Sequence, residues 1–175
     1  EECQIYAIVM KGDSDGSFKM KAEPSEAVVA ALKSATVADN FIDAEVNKNG
    51  VLKSIKFKNE NKFNFGFDCV DKIAAKNPNK LAMMWVAGDK TDHAFTFADI
   101  KKYSNMTANY FESLGIKKGD RVMLVLKRHY QFWFSIVALH KMGAIVIPAT
   151  NQLVEHDFTY RYKAAGVKAV VCTAD

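Results

Sequence analysis

Gly119-Asp120-Arg121-Val122-Met123-Leu124-Val125-Leu126 decides the fold of this chain. Five consecutive apolar residues after a polar turn are the length and texture of a strand buried on both faces. Upstream, Ile100, Tyr103, Thr107, Ala108, Phe111 and Leu114 recur at three- and four-residue steps, one face of an amphipathic helix. Gly115 supplies a left-handed stop, and Ile116 is placed to fold back on the last turn. Downstream, about His129 to Met142 is apolar nearly all round, which predicts a helix covered by protein on every side. Gly143 ends it, and Ala144 to Pro148 predicts a second buried strand. Helix, strand, helix, strand in short connections means parallel α/β architecture.

The same reading extends in both directions. Asp68 to Lys76 predicts a helix with Val70, Ile73 and Ala74 inward, stopped by Pro78. Leu81 to Val86 is a strand pattern followed by a turn at Gly88-Asp89-Lys90. About Glu155 to Ala165 predicts a helix ended by Gly166, and Ala169 to Thr173 a last strand. Residues 1–61 differ in texture: a short strand pattern at Gln4 to Met10, a Gly/Ser/Asp loop at 12–17, then a helix from Pro24-Ser25-Glu26 to about Ala35. Ser25 is placed to cap that helix. Phe41 to Phe57 predicts a hairpin turning at Asn47-Lys48-Asn49-Gly50, since Asn-Gly accepts positive φ. The division is therefore a small α+β leader, 1–61, ahead of an α/β portion, 62–175.

Composition narrows the class. Apolar residues make up 49% and charged ones 25% of the 175 residues, as in a soluble globular protein. Residues 1–62 hold nine Lys/Arg and ten Asp/Glu, whereas 63–175 hold fifteen and ten, so the formal charge of +4 arises in the second part. A modest cationic excess suits either phosphorylated ligands or an ordinary solvated surface. No basic run exceeds two residues, which gives no support to nucleic-acid binding. Cys3, Cys69 and Cys172 form no CxxC pair, so buried thiols and a reducing compartment, the cytoplasm, are expected. The histidines, at 93, 129, 140 and 156, show no metal-ligand spacing. Tyr130 to Pro148 approaches membrane-spanning length, but His140, Lys141 and Gly143 make it helix, turn and strand.

The order of several short runs carries a resemblance. Phe95-Thr96-Phe97-Ala98-Asp99-Ile100, Ala108-Asn109-Tyr110-Phe111 and Leu114 to Val122 resemble the N-terminal part of adenylate-forming (AMP-binding) enzymes. Phe132-Trp133-Phe134, Met142-Gly143-Ala144, Ile147-Pro148-Ala149-Thr150 and Tyr160-Arg161 resemble the acetyl- and medium-chain acyl-CoA synthetase branch. Phe63-Asn64-Phe65 with Asp68 matches the start of that branch's first domain, so the likeness runs from about Lys62 to Asp175. It implies an acid–CoA ligase using ATP, Mg and coenzyme A: a carboxylic acid is adenylated, and coenzyme A then displaces AMP. The family's Ser/Thr/Gly-rich loop ending in Lys, its adenine pocket and its mobile lysine have no counterpart here. An inactive, incomplete domain is expected from these residues alone, with self-association through an exposed sheet edge or compensating packing by residues 1–62.

Three residues are carried over as candidates for ligand contact. Gln152, in Pro148-Ala149-Thr150-Asn151-Gln152, matches the turn that approaches coenzyme A in related synthetases, and Thr150 belongs to the same turn. Arg128 matches the family's cation after the central strand, where Lys127 departs from the usual proline. Two cations beside the positive end of a helix dipole are locally unfavourable. Either a held anion or, as the preferred reading, a salt bridge elsewhere in the fold accounts for them. Arg161 is expected to bond the next loop, and Trp133 with its Phe neighbours to lie in the core rather than beside an acyl channel. The alternative reading is a non-catalytic α/β module that binds a nucleotide or a partner.

Overall fold

A computed structural model describes residues 41–48 and 51–174. The strand expected at Gln4 to Met10, the loop at 12–17, the helix from Pro24 and the Asn49-Gly50 step lie outside the described residues. The chain divides into two compact units, Glu1–Asn61 and Lys62–Asp175. In the first, β1 (Ile42–Val46) and β2 (Leu52–Phe57) pair antiparallel, with Ile42 opposite Phe57. The Asn47 carboxamide closes the turn by accepting the Val51 N–H at 2.9 Å.

The second unit is built around β5 (Arg121–Val125), whose residues from Val122 on are buried together with Leu126. It pairs parallel with β6 (Ile145–Pro148) on one side and β7 (Ala169–Cys172) on the other. The parallel reading therefore holds for this sheet. The remaining strands, β3 (Leu81–Val86) and β4 (Asp92–Thr96), form an antiparallel hairpin. Its second strand is hidden in sequence because it runs straight into a helix. The expected second buried strand is also corrected: β6 has a partner on one side only among the described residues, and Ile145 is exposed.

Helix α2 (Phe97–Ser113) begins with a capping box: Thr96 Oγ1 accepts the Asp99 N–H at 3.2 Å, and Asp99 Oδ2 accepts the Thr96 N–H at 2.9 Å. It ends as a Schellman motif. Gly115 (φ +80°) donates to Glu112 O at 2.9 Å and Ile116 to Phe111 O at 3.1 Å. Ile116 is buried, as expected, but Leu114 is 60% exposed, because the left-handed turn puts Ile116 and not Leu114 over the last turn. Helix α3 (Gln131–Met142) packs against α2 and buries Phe134, Val137, Ala138 and Leu139. Each such side chain is worth about 1.5–3 kcal/mol of burial, less for alanine. The expectation that α3 is covered on every side fails at Trp133, which is 51% exposed.

Two smaller elements complete the frame. The helix expected at Asp68 to Lys76 is a π-helical turn, Gly66–Asp71, running into α1 (Lys72–Lys76), with Val70 and Ala74 buried. Its start is drawn wide by Asn64, whose Nδ2 donates to His140 O at 2.8 Å while its Oδ1 accepts the Gly66 N–H at 3.0 Å. Helix α4 (Glu155–Ala165) ends at Gly166, φ +60°. There Arg121 clamps the chain, donating from Nε to Ala165 O at 2.8 Å and from Nη2 to Gly166 O at 2.7 Å. No helix among the described residues is long and apolar enough to cross a membrane.

Candidate functional site

The carboxyl ends of β5 and β6 open into a cleft of about 740 Å³. Open α/β sheets gather ligands at this edge because side chains and loops diverge there. Leu126 after β5, Phe132 of α3 and Trp85 to Gly88 of the β3–β4 hairpin line it. Ala149, Thr150 and Asn151, which follow β6, lie at the rim, with Lys127, Arg128 and His129 at the corner between β5 and α3. No carboxylate lines this space, so its formal charge is positive.

The corner is locally unusual. Lys127 has φ +36°, a conformation rare outside glycine. His129 N–H returns to Leu126 O at 2.9 Å, and α3 then starts without a side-chain cap. The Arg128 carbonyl accepts the Trp85 Nε1–H at 2.6 Å. The Arg128 guanidinium has no carboxylate partner among the described residues, contrary to the salt bridge preferred from sequence. Among the described residues no acidic side chain lines the cleft here.

The three carried-over residues separate. Arg128 and Thr150 line the cleft together, whereas Gln152 is exposed on the same turn and outside that lining. Gln152 N–H donates to Thr150 Oγ1 at 3.2 Å, so the turn itself orients the hydroxyl. Arg161 does not reach the next loop. It donates to Asp157 O at 3.3 Å within α4, a turn away on its own helix. Sequence reasoning passed over Trp85 and Asn151. An indole needs a partner for its N–H, and that was the available signal at Trp85.

The other reactive groups lie elsewhere. Burial pushes the Cys69 thiol up, with the Asp68 charge adding to it, which leaves no nucleophilic thiolate there. Cys172 is exposed, not buried as expected, because β7 is an outer strand of its sheet among the described residues. Among the described residues no group of three or more His, Cys, Asp or Glu is arranged to hold a metal. The donor set of the cleft, cationic and without carboxylates, suits a phosphate and not a magnesium ion.

Fold and cleft together define an α/β protein with a parallel central sheet and a cleft at its strand ends. The chain belongs to the family of AMP-binding enzymes, whose model matches residues 70–175. It is 40% identical over 116 residues to the mitochondrial acyl-coenzyme A synthetase ACSM5 of Rattus norvegicus, a match taking in 62% of this chain and 20% of that protein. With the human ACSM5 protein the identity is 34% over 115 residues, again 62% of this chain and 20% of the relative. Among solved structures, an acyl-CoA synthetase of Brucella canis matches with a TM-score of 0.59 and 26% identity, over 63% of this chain and 20% of that one. A fatty acyl CoA synthetase of Mycobacterium tuberculosis gives 0.56 and 27%, over 63% and 21%. The chain thus spans about one fifth of the length of the curated relatives it matches.

Proposed function

We propose that residues 62–175 are the N-terminal portion of an AMP-forming acid–CoA ligase, and that their cleft receives an anionic part of coenzyme A. In the reaction a carboxylate oxygen attacks the α-phosphorus of ATP and expels pyrophosphate. The thiol of coenzyme A then attacks the acyl carbonyl and expels AMP. The observation that carries the reading is the cleft at the ends of β5 and β6, cationic and free of carboxylates, in a chain of this family.

Within that cleft Arg128 and Lys127 neutralise a phosphate, the Thr150 hydroxyl gives or takes a hydrogen bond, and Phe132 offers an apolar wall to a pantetheine arm. Gln152 contacts the ligand only if its side chain swings over the turn. ATP and its magnesium ion are bound by residues outside this stretch, and these 175 residues alone are inactive. The acid is an acyl-chain carboxylic acid, a choice supported by the acyl-coenzyme A synthetases that the chain resembles. We place the protein in a reducing compartment, supported by the unpaired Cys69 and Cys172. The half-covered strands β6 and β7 make self-association part of the same proposal, tested by the mass of the chain in solution.

Calorimetric titration of the chain with coenzyme A and, separately, with ATP tests this. Weak coenzyme A binding, reduced about tenfold or more by Arg128→Ala, is expected from the loss of one charge-assisted hydrogen bond. Gln152→Ala should weaken it less. Tight binding of ATP would overturn the assignment.

A further inference from the structure

The Lys127–Tyr130 corner carries the candidate cation, and within it the His129 N–H closes back on the Leu126 carbonyl at 2.9 Å. Lys127 sits at a positive φ, and a side chain in that conformation persists only when its surroundings enforce it. Part of that enforcement comes from the β3–β4 hairpin. Trp85, near the end of β3, donates its Nε1–H to the Arg128 carbonyl at 2.6 Å. The same indole meets Tyr130 edge-on, with ring centroids 5.2 Å apart, on the far side of the corner. Its other contact is stacked, with His93 of β4 at 5.7 Å and 27°. Tyr130 is fixed in turn by Phe95 at 5.1 Å and Phe134 at 5.7 Å. One side chain therefore touches the corner twice, by a hydrogen bond at Arg128 and by a ring contact at Tyr130, the N-cap residue of α3. It also lines the cleft itself.

We infer that Trp85 is a positioning residue: its indole N–H fixes the Arg128 peptide and thereby directs the Arg128 side chain to the anion in the cleft. The inference rests on the reading of that cleft given above. A ring that merely fills the core would need its shape but not its N–H. The geometry assigns the aiming of Arg128 to the hairpin β3–β4, across the cleft, and not to the helix that follows it.

The test separates shape from the hydrogen bond. Replacing Trp85 by 3-benzothienylalanine keeps the ring size and removes only the donor, whereas Trp85→Leu removes both. Two readouts are taken on the 175-residue chain: deuterium exchange at the His129 amide, and coenzyme A affinity by calorimetry. With the isostere the thermal midpoint should hold within a few degrees. The His129 amide should exchange several-fold faster while β5 amides stay unchanged, and coenzyme A should bind about two- to tenfold more weakly, the scale of one neutral hydrogen bond. Unchanged exchange at His129 overturns the inference whatever the ligand does. Faster exchange with unaltered affinity also overturns it, provided Arg128→Ala lowers affinity in parallel. If Arg128→Ala leaves affinity untouched, the cleft reading fails instead. The bracing of the corner by Trp85 is then judged on exchange alone.

Discussion

The two ends of α3 follow opposite electrostatic logic. At the carboxyl end, the Lys141 side chain is 3% exposed and its Nζ donates to Asp71 Oδ1 and Asn105 Oδ1, each at 2.7 Å. The His140 carbonyl takes the Asn64 Nδ2–H, and Gly143 closes the helix in the left-handed region. A cation here also favours the negative end of the helix dipole. At the amino end the cations Lys127 and Arg128 sit against the positive end, no side chain caps the first turn, and Arg128 faces a cleft without carboxylates. One end obeys the local rules and stabilises the fold. The other breaks them, and such violations concentrate where a ligand completes the site.

Breaking the satisfied end should have the largest effect. Lys141→Met leaves the half-buried Asp71 without its counter-charge and should lower stability by about 2–3 kcal/mol in urea melts, somewhat less than the cost of breaking a fully buried pair. Gly66→Ala reaches the same network from the other side. A Cβ at Gly66 would clash with Lys141 Cγ, which is near the root of a pinned side chain and cannot simply swing away. Overpacking of about 1–3 kcal/mol is expected, smaller in the Lys141→Met background, where a thioether chain adapts. At the amino end, Arg128→Met should change stability by no more than about 0.5 kcal/mol, since it leaves no buried group unpaired. Equal losses of stability at both ends would remove the contrast.

Much of this contrast was legible from the chain because the relevant signals are local. The periodicity of α2 located Ile100 and Phe111 in the core, and Gly115 with Ile116 announced the Schellman turn. The lone pair of cations after a buried strand marked the corner at Arg128, and Thr150 proved to share its cleft. What stayed hidden depends on distant backbone. Trp85 finds its acceptor on a carbonyl 43 residues away, and Asn64 widens the π-helical turn by reaching a carbonyl 76 residues away. Side-chain patterns carry no record of which backbone group a polar side chain will meet. Burial of β6 and coverage of Trp133 were misjudged for a related reason: apolar composition says that a surface can be covered, and neighbours decide whether it is.

Acid sharpens the comparison by the smallest margin and splits it into two windows. Burial holds the His140 imidazole below its ordinary value of 6.5, and its Nδ1 has no hydrogen-bond partner among the described residues. As pH falls below 6.5, the unfolded chain takes up a proton that the folded chain resists, so stability declines until the lower folded-state value is passed. Asp68 behaves oppositely in origin. The Asn64 N–H, and then Lys72, hold its carboxyl below the ordinary 3.8. Its stabilisation is complete above 3.8 and is lost as pH falls through the depressed value. A shallow loss beginning below 6.5 and a second one beginning below 3.8 are therefore expected in melts followed against pH. His140→Phe, which preserves the edge-on packing with Phe65, should abolish the first and leave the second. Asp68→Asn should leave the first and only reduce the second, because hydrogen bonds from Thr91, Thr96 and Lys168 also hold Asp89, Asp99 and Asp120 below 3.8. Arg128→Met should shift neither, because Arg128 is exposed and has no carboxylate partner among the described residues, and an altered acid profile in that variant would mean that Arg128 is tied to a carboxylate after all.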